Sequence, residues 1–291
     1  MKPQFPIYIV SKGRADTRLT SKALEHMGVP YYIIVEAQEY EQYAEVIAEE
    51  KILVLDTRYQ DEYDTCDDLG DSKSKGPGPA RNMAWDHATA RGSEWHWVMD
   101  DNIIRFFRFN RNEQIPVDAT ALRCMEDFTL RYSNVAMSGP NYFMFAPRKK
   151  KQPPFVVNTR IYSCNFIRND IPFRWRGRYN EDTDLSLRIL KEHWCTIQFN
   201  AFLQHKIPTQ LMKGGNTDDF YSKEGTGPKS EMLVRLHPDV ARMVWRFGRL
   251  HHQVDYSRFK SLRPLLRPDY RPSKKVNDYG LVLTKAPGAR G

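Results

Sequence analysis

The sequence predicts an α/β fold, with a mostly parallel central sheet flanked by helices and a basic helical extension at the C-terminus. Three observations carry this. Short apolar runs alternate with helical patterns through the first hundred residues, as strands and crossover helices do. One of those runs, Trp95 to Met99, ends abruptly in Asp100, Asp101 and Asn102. After His205 the composition turns rich in Gly, Asp, Pro and basic residues. With 291 residues, 41% hydrophobic and 12% aromatic, the chain is long enough for one large core or two small ones, which rules out disorder throughout.

Taken in order, Pro6 to Val10 reads as a buried strand and Ser11 to Arg14 (S-K-G-R) as the loop after it. Leu19 to Met27 is a helix stopped by Gly28, and Tyr31 to Val35 the second strand. A helix over about Ala37 to Glu50 leads to a third strand, Ile52 to Leu55, closed by Asp56. Asp61 to Pro79 has few apolar residues and reads as a long loop, a length that is usually functional. Ala80 to Ala90 is helical, since Pro79 suits a first turn and Met83 and His87 stack at i, i+4. Beyond the Trp95 strand come a helix at Asp118 to Tyr132, a strand at Val135 to Ser138, an aromatic strand at Tyr142 to Phe145 and a basic turn at Arg148 to Lys151. Cys164 to Ile167 is a strand, Asp184 to Glu192 a helix and Thr196 to Phe199 a strand. One amphipathic helix, about Ser230 to Arg249, then precedes a Pro-punctuated basic tail.

Lys plus Arg number 44 and Asp plus Glu 36, leaving a formal +8 that asks for a polyanionic partner. No uncharged apolar run approaches the roughly 18 residues of a membrane span. Met1 to Val10 is too short and too Pro-broken for a signal peptide, so a soluble intracellular protein with no membrane partner is expected. Cys66, Cys124, Cys164 and Cys195 lie far apart with no C-x-x-C pair, which points to reduced thiols.

Acids crowded at the end of a strand repel one another, and a divalent cation or a ligand there compensates them. Strand ends are also where open α/β sheets bind ligands. A solvated turn would explain an isolated D-D-N equally well. Three further stretches add to it. In S-K-G-R, Lys12 and Arg14 can reach a diphosphate while Gly13 lets the backbone approach. G-P-G-P-A-R-N (Gly76 to Asn82) puts Arg81 and Asn82 in the first turn of a helix, where free N–H groups favour anions. Glu181, Asp182 and Asp184 open another helix, where acids also complement the dipole without any catalytic role.

The order S-K-G-R, P-A-R-N, D-D-N, N-E-D and Q-H-K over about Pro6 to Ile207 resembles the GT-A glycosyltransferases. That resemblance implies a GT-A-like domain at 1–207, with a nucleotide-sugar half (1–102) and an acceptor half (103–207), then a closing loop, amphipathic helix and basic tail at 208–291. It implies that Ser11, Lys12, Arg14, Arg81, Asn82, Asp100 and Asp101 contact the nucleotide sugar. Asn102 takes the place that is commonly the metal-binding acid, with Asp101 and His205 as the other ligands of Mn²⁺ or Mg²⁺. An amide is a poorer ligand than a carboxylate, and His205 could equally be a surface histidine. Asp182 would be the base of an inverting transfer, with Glu181 assisting or binding a sugar hydroxyl. Lys213 and Gly214, in K-G-G-N, would close over the diphosphate.

The acceptor is read from charge. From Arg235 to Lys275 eleven basic residues, Arg246 and Arg249 among them, face three Asp and interleave with aromatics, which suits phosphate contacts and base stacking. Arg174, Trp175, Arg176 and Arg178 add a second such stretch beside the E-D pair, where a flipped base would stack on Trp175 or Tyr179. With DNA as acceptor, P-I-Y-I-V-S-K-G-R, G-P-A-R-N, W-V-M-D-D-N-I and R-Y-N-E-D-T-D-L resemble the TET-associated glycosyltransferases of phages and the base J glucosyltransferase. This implies transfer from a UDP-type sugar to a hydroxymethylated base such as 5-hydroxymethylcytosine, by a phage-encoded cytoplasmic enzyme. A saccharide acceptor, or a degenerate DNA-binding accessory protein, stays open at this stage.

Overall fold

The computed structural model describes residues 1–68, 74–110, 112–146, 153–207, 227–246 and 248–271. Four strands open the sheet: β1 (Ile7–Val10), β2 (Tyr32–Val35), β3 (Ile52–Val54) and β4 (Trp95–Asp100). They lie in the order β3-β2-β1-β4, all parallel, with Val10 level with Asp100. The chain steps outward from β1 to β3 and then returns to β1's other side, so the crevice between β1 and β4 is a topological switch point, where open α/β sheets bind ligands. The helices α1 (Leu19–His26), α2 (Tyr40–Ala44), α3 (Thr57–Asp61) and α4 (Gly78–Ala90) connect these strands.

Past β4 the sheet becomes mixed. β5 (Ile103–Asn110) and β6 (Glu113–Pro116) form a hairpin, and α5 (Thr120–Thr129) leads to β7 (Val135–Tyr142). β8 (Phe155–Val157), β9 (Cys164–Arg168), α6 (Glu181–Lys191) and β10 (Cys195–Lys206) follow. The order continues β4-β9-β7-β10-β5-β6, with β8 beside β10, giving a ten-stranded sheet among the described residues. β9 runs antiparallel to β4 and β7, whereas β10 runs parallel to β7. One core, around Ile9, Trp97, Phe106 and Phe166, fills one face; the other face is filled by Tyr8, Trp85, Val98 and Ile189.

Several expected elements differ. The helix over about Ala37 to Glu50 is broken into a 3₁₀ turn, α2 and a second 3₁₀ turn, because the chain bends after Ala44 to bury Ile47 beside Tyr43. Phe143–Phe145 is a 3₁₀ turn rather than a strand. The helix over about Ser230 to Arg249 is shorter: α7 spans Gly227–Leu236, and Pro238 disfavours the helical conformation just before it. Ala241–Arg246 (β11) and Arg249–Val254 (β12) then form a separate hairpin, with Gly248 at φ 71° in its turn. The basic turn at Arg148 to Lys151 lies outside the described residues. Among those that are described, no helix is long and apolar enough to cross a membrane.

Where β7 passes β9, a Cβ on Gly139 would overlap the carbonyl of Cys164 and the side chain of Ile161. Gly139→Ala should therefore lower stability by about 2 kcal/mol, within the range for overpacked cores, as read by urea unfolding. A change under about 0.5 kcal/mol would show that the strands are not so close.

Candidate active site

The ends of β1, β4, β7 and β10, the start of β9 and the first turns of α4 and α6 meet around a cavity of about 740 Å³. Each contributes residues through simple geometry. Val10 lies level with Asp100, so the S-K-G-R loop and D-D-N leave adjacent strands side by side. Antiparallel β9 begins there, and the Asp100 N–H donates to the Ser163 carbonyl at 2.8 Å. Gly78 opens α4 against the ring of Tyr63, where any Cβ would overlap the phenol, so the turn sits close enough for Arg81 to enter the cleft.

At the centre, Asp100 lies between two cations. Arg81 Nη2 donates to its Oδ1 at 2.7 Å and Lys206 Nζ to its Oδ2 at 2.8 Å. Burial alone would raise its pKa, but Lys206 and Arg81 outweigh burial and hold the carboxyl well below the usual range. Lys206 also donates to Ser163 Oγ at 2.8 Å, and Asp100 keeps its ammonium charged against burial. Arg81 is fully enclosed. Its guanidinium stacks 4.5 Å from the centre of the Trp175 ring, and Nη1 lies 3.3 Å from Glu181 Oε1. A continuous run of charge, Lys206–Asp100–Arg81–Glu181, thus crosses the floor of the cavity.

Glu181 and Asp182 both line the cavity from the first turn of α6. Burial pushes Glu181 up to about 7; Arg81 opposes this and the neighbouring Asp182 adds to it. Asp182 Oδ1 accepts from the Thr183 N–H at 2.7 Å and its hydroxyl at 3.3 Å, which fixes the carboxylate's orientation. On the outer wall, Arg160, Lys229, Tyr142 and Tyr162 also line the cavity.

Asp101 does something else. Arg14 Nη1 donates to Oδ1 at 2.5 Å and Ser11 Oγ to Oδ2 at 2.8 Å, so Ser11, Arg14 and Asp101 lock the β1 loop onto the β4 end. Ser11 and Arg14 line the cavity with their side chains tied to Asp101, and from the same loop half-exposed Lys12, 3.2 Å from Glu36, lines it as well. Asn82 does not line the cavity. Its amide accepts from the Trp175 N–H at 2.9 Å and donates to the Trp175 carbonyl at 3.0 Å, fastening the segment around Trp175 to α4.

The expected metal ligands do not converge. Both oxygens of Asp101 are taken by donors, and the Asn102 amide donates to the Ile207 carbonyl at 2.8 Å. His205 turns away on the opposite side of β10 and stacks on Phe143 with ring centres 4.8 Å apart. Alternation along β10 sends the next residue, Lys206, into the cavity in its place. No group of three His, Cys, Asp or Glu among the described residues could hold a metal ion. The residues present do not fit a divalent cation at the expected position.

In the stretch before the E-D pair Trp175, Arg178 and Tyr179 are buried, whereas Arg174 is exposed and Arg176 partly so. Trp175 is 2% exposed and Tyr179 is buried, so neither can receive a base. Arg178 is buried against Asp67 at 2.7 Å, Arg176 pairs with buried Asp184 at 3.2 Å, and Arg174 lies 4.7 Å from the Trp85 ring and 3.5 Å from Asp86. Lys213 and Gly214 lie outside the described residues. Lys206, Lys229, Tyr142 and Tyr162 were missed as site residues. Only Lys206 had a sequence signal, as the neighbour of His205 on an alternating strand.

Acidic and basic side chains thus gather at the strand ends of a GT-A-like α/β domain, where such sheets bind ligands. The TET-associated glycosyltransferase family matches residues 5–215, and the chain belongs to that family. No curated protein matches it.

Because Glu181 is raised from 4.5, it costs stability once it ionises, so its contribution falls as pH rises from about 4.5 to 7. The pH dependence of unfolding between pH 5 and 8 should flatten in Glu181→Gln, by up to about 3 kcal/mol. An unchanged pH profile would mean that Glu181 titrates normally.

Proposed function

We propose that the protein transfers a sugar from a nucleoside diphosphate sugar, of the UDP type, to the hydroxymethyl group of a modified DNA base. The observation that carries this is the joining of Glu181 and Asp182 to Asp100 through Arg81 in one cleft. The acceptor oxygen attacks C1 of the sugar, the bond from C1 to the phosphate oxygen breaks, and the nucleoside diphosphate leaves with its electron pair. Asp182, steadied by Thr183, takes the hydroxyl proton. Attack from the face opposite the leaving group makes the reaction inverting. Glu181 binds a sugar hydroxyl.

The departing diphosphate gains negative charge that must be met in place. Lys206 lies at the centre of the cavity with Lys12, Arg160 and Lys229 around it, and these cations supply that compensation. DNA as acceptor is supported by the family and by the basic C-terminal region. With DNA as acceptor, the reading that goes with it is a phage-encoded enzyme acting in the host cytoplasm.

Incubation with UDP-sugars and hydroxymethylcytosine DNA should release UDP and yield glycosylated DNA, and chelation by EDTA should leave the rate unchanged. Asp182→Asn should lower kcat by about 10²- to 10⁴-fold, the range for loss of a general base. Lys206→Met should lower it by about 10²-fold, as for loss of one preorganised charge. No UDP release with any sugar contradicts the enzyme reading; full restoration of an EDTA-treated enzyme by Mn²⁺ contradicts the lysine's role.

A further inference from the structure

The hairpin of β11 and β12 sits beside the cavity mouth. Its base is held by the core around Leu187, Leu233 and Phe259, and it packs on α7, whose Lys229 lines the cavity. The Asn180 amide, next to Glu181, donates to the Lys229 carbonyl at 2.7 Å, so α7 and the hairpin are fixed relative to the E-D pair.

Cross-strand partners in this register are Ala241 with Val254, Met243 with His252, and Trp245 with Leu250, and alternation puts all six on one face. That face changes character along its length. Ala241 is buried and Val254 packs on the core, and His252 is shielded enough that burial, with the charges of Lys229 and Arg160, lowers its pKa to about 4. Two residues further, about 6–7 Å along the strands, the body of the protein has ended. Trp245 there is 69% exposed, with Leu250 at 39% beside it. An indole held out on the hairpin, on the same face as His252 beside Lys229 and Arg160, is open to a partner that stacks.

The opposite face supplies the charge. Arg246 and Arg249 stand directly across from one another, an arrangement that like-charge repulsion disfavours unless an anion lies between them. Arg242 follows on the same face, and Arg258, Lys260 and Arg263 extend the positive surface beyond β12.

Building on the transfer to DNA proposed above, we infer that this hairpin is a duplex-DNA clamp. Trp245 stacks in the helix at the position from which the modified base is lifted toward Asp182, and Arg246 and Arg249 hold the flanking phosphates. A target hydroxymethyl group inside a duplex cannot reach an enclosed cleft without leaving the stack, and an aromatic in the vacated place offsets the lost stacking.

The test uses the full chain and a fluorescent duplex carrying hydroxymethylcytosine. Binding is read by anisotropy across a salt series and transfer by glycosylated product, with thermal melting to check that each variant folds. Trp245→Ala should weaken duplex binding and duplex transfer by about ten-fold, as loss of one base stack does, while Trp245→Phe stays within about three-fold. The double variant Arg246→Ala and Arg249→Ala should reduce the salt slope by about 2. A folded Trp245→Ala that binds and modifies duplex as well as the native chain overturns the clamp. So does a native chain that ignores the duplex but binds phosphatidylserine vesicles through Trp245. Donor hydrolysis by the native chain without DNA reads the glycosyltransferase assignment separately, so failure of one can be told from failure of the other.

Discussion

The cleft depends on how one buried carboxylate is neutralised. Asp100 ends β4 with its side chain 22% exposed in the cavity, and its charge is held by Arg81, which arrives from α4, and Lys206, from β10. These residues are far apart in the sequence, so the interaction ties the parallel half of the sheet to the mixed half. Arg81 then extends the tie to Glu181. Losing one member of such a set leaves a buried charge without its partner, which costs about 3–5 kcal/mol. The same charges that hold the two halves together are those a sugar diphosphate would meet, so structure and chemistry share one set of side chains.

Much of the fold was legible because strands buried on both faces, whichever way they pair, read as apolar runs. β1 to β4, β7 and β9 lie where I-Y-I-V, Y-I-I-V, I-L-V, W-H-W-V-M, V-A-M and C-N-F-I place them. The hairpin of β5 and β6 was not seen, since I-I-R-F-F-R-F-N alternates too irregularly to separate strand from helix. The break in the helix near Ala44 and the conversion of Ala241 to Val254 into strands came from tertiary burial and from Pro238, which a periodic pattern does not weigh.

The site was legible in its acids and much less so in its cations. D-D-N and the E-D pair do converge, because strand ends and helix starts are placed by the fold class itself. What a sequence cannot separate is an arginine that meets a ligand from one that meets an internal carboxylate. Arg14, Arg176 and Arg178 belong to the second kind, held by Asp101, Asp184 and Asp67. His205 and Lys206 show how narrow the margin is. One step along a strand decides which of two neighbours enters the cavity, and the register shift at this point puts the extra residue, Ile104, on β5, so the alternation along β10 is kept.

The central claim, that the charge on the leaving group is met by Lys206 while Asp100 stays bound to Arg81, is open to one direct measurement: a crystal structure with a nucleoside diphosphate bound and a divalent cation supplied. The account predicts phosphate oxygens within hydrogen-bond reach of Lys206 Nζ and the Asp100–Arg81 pair intact. A cation coordinated by Asp100 or Asp101, with Lys206 displaced from the phosphates, would contradict it.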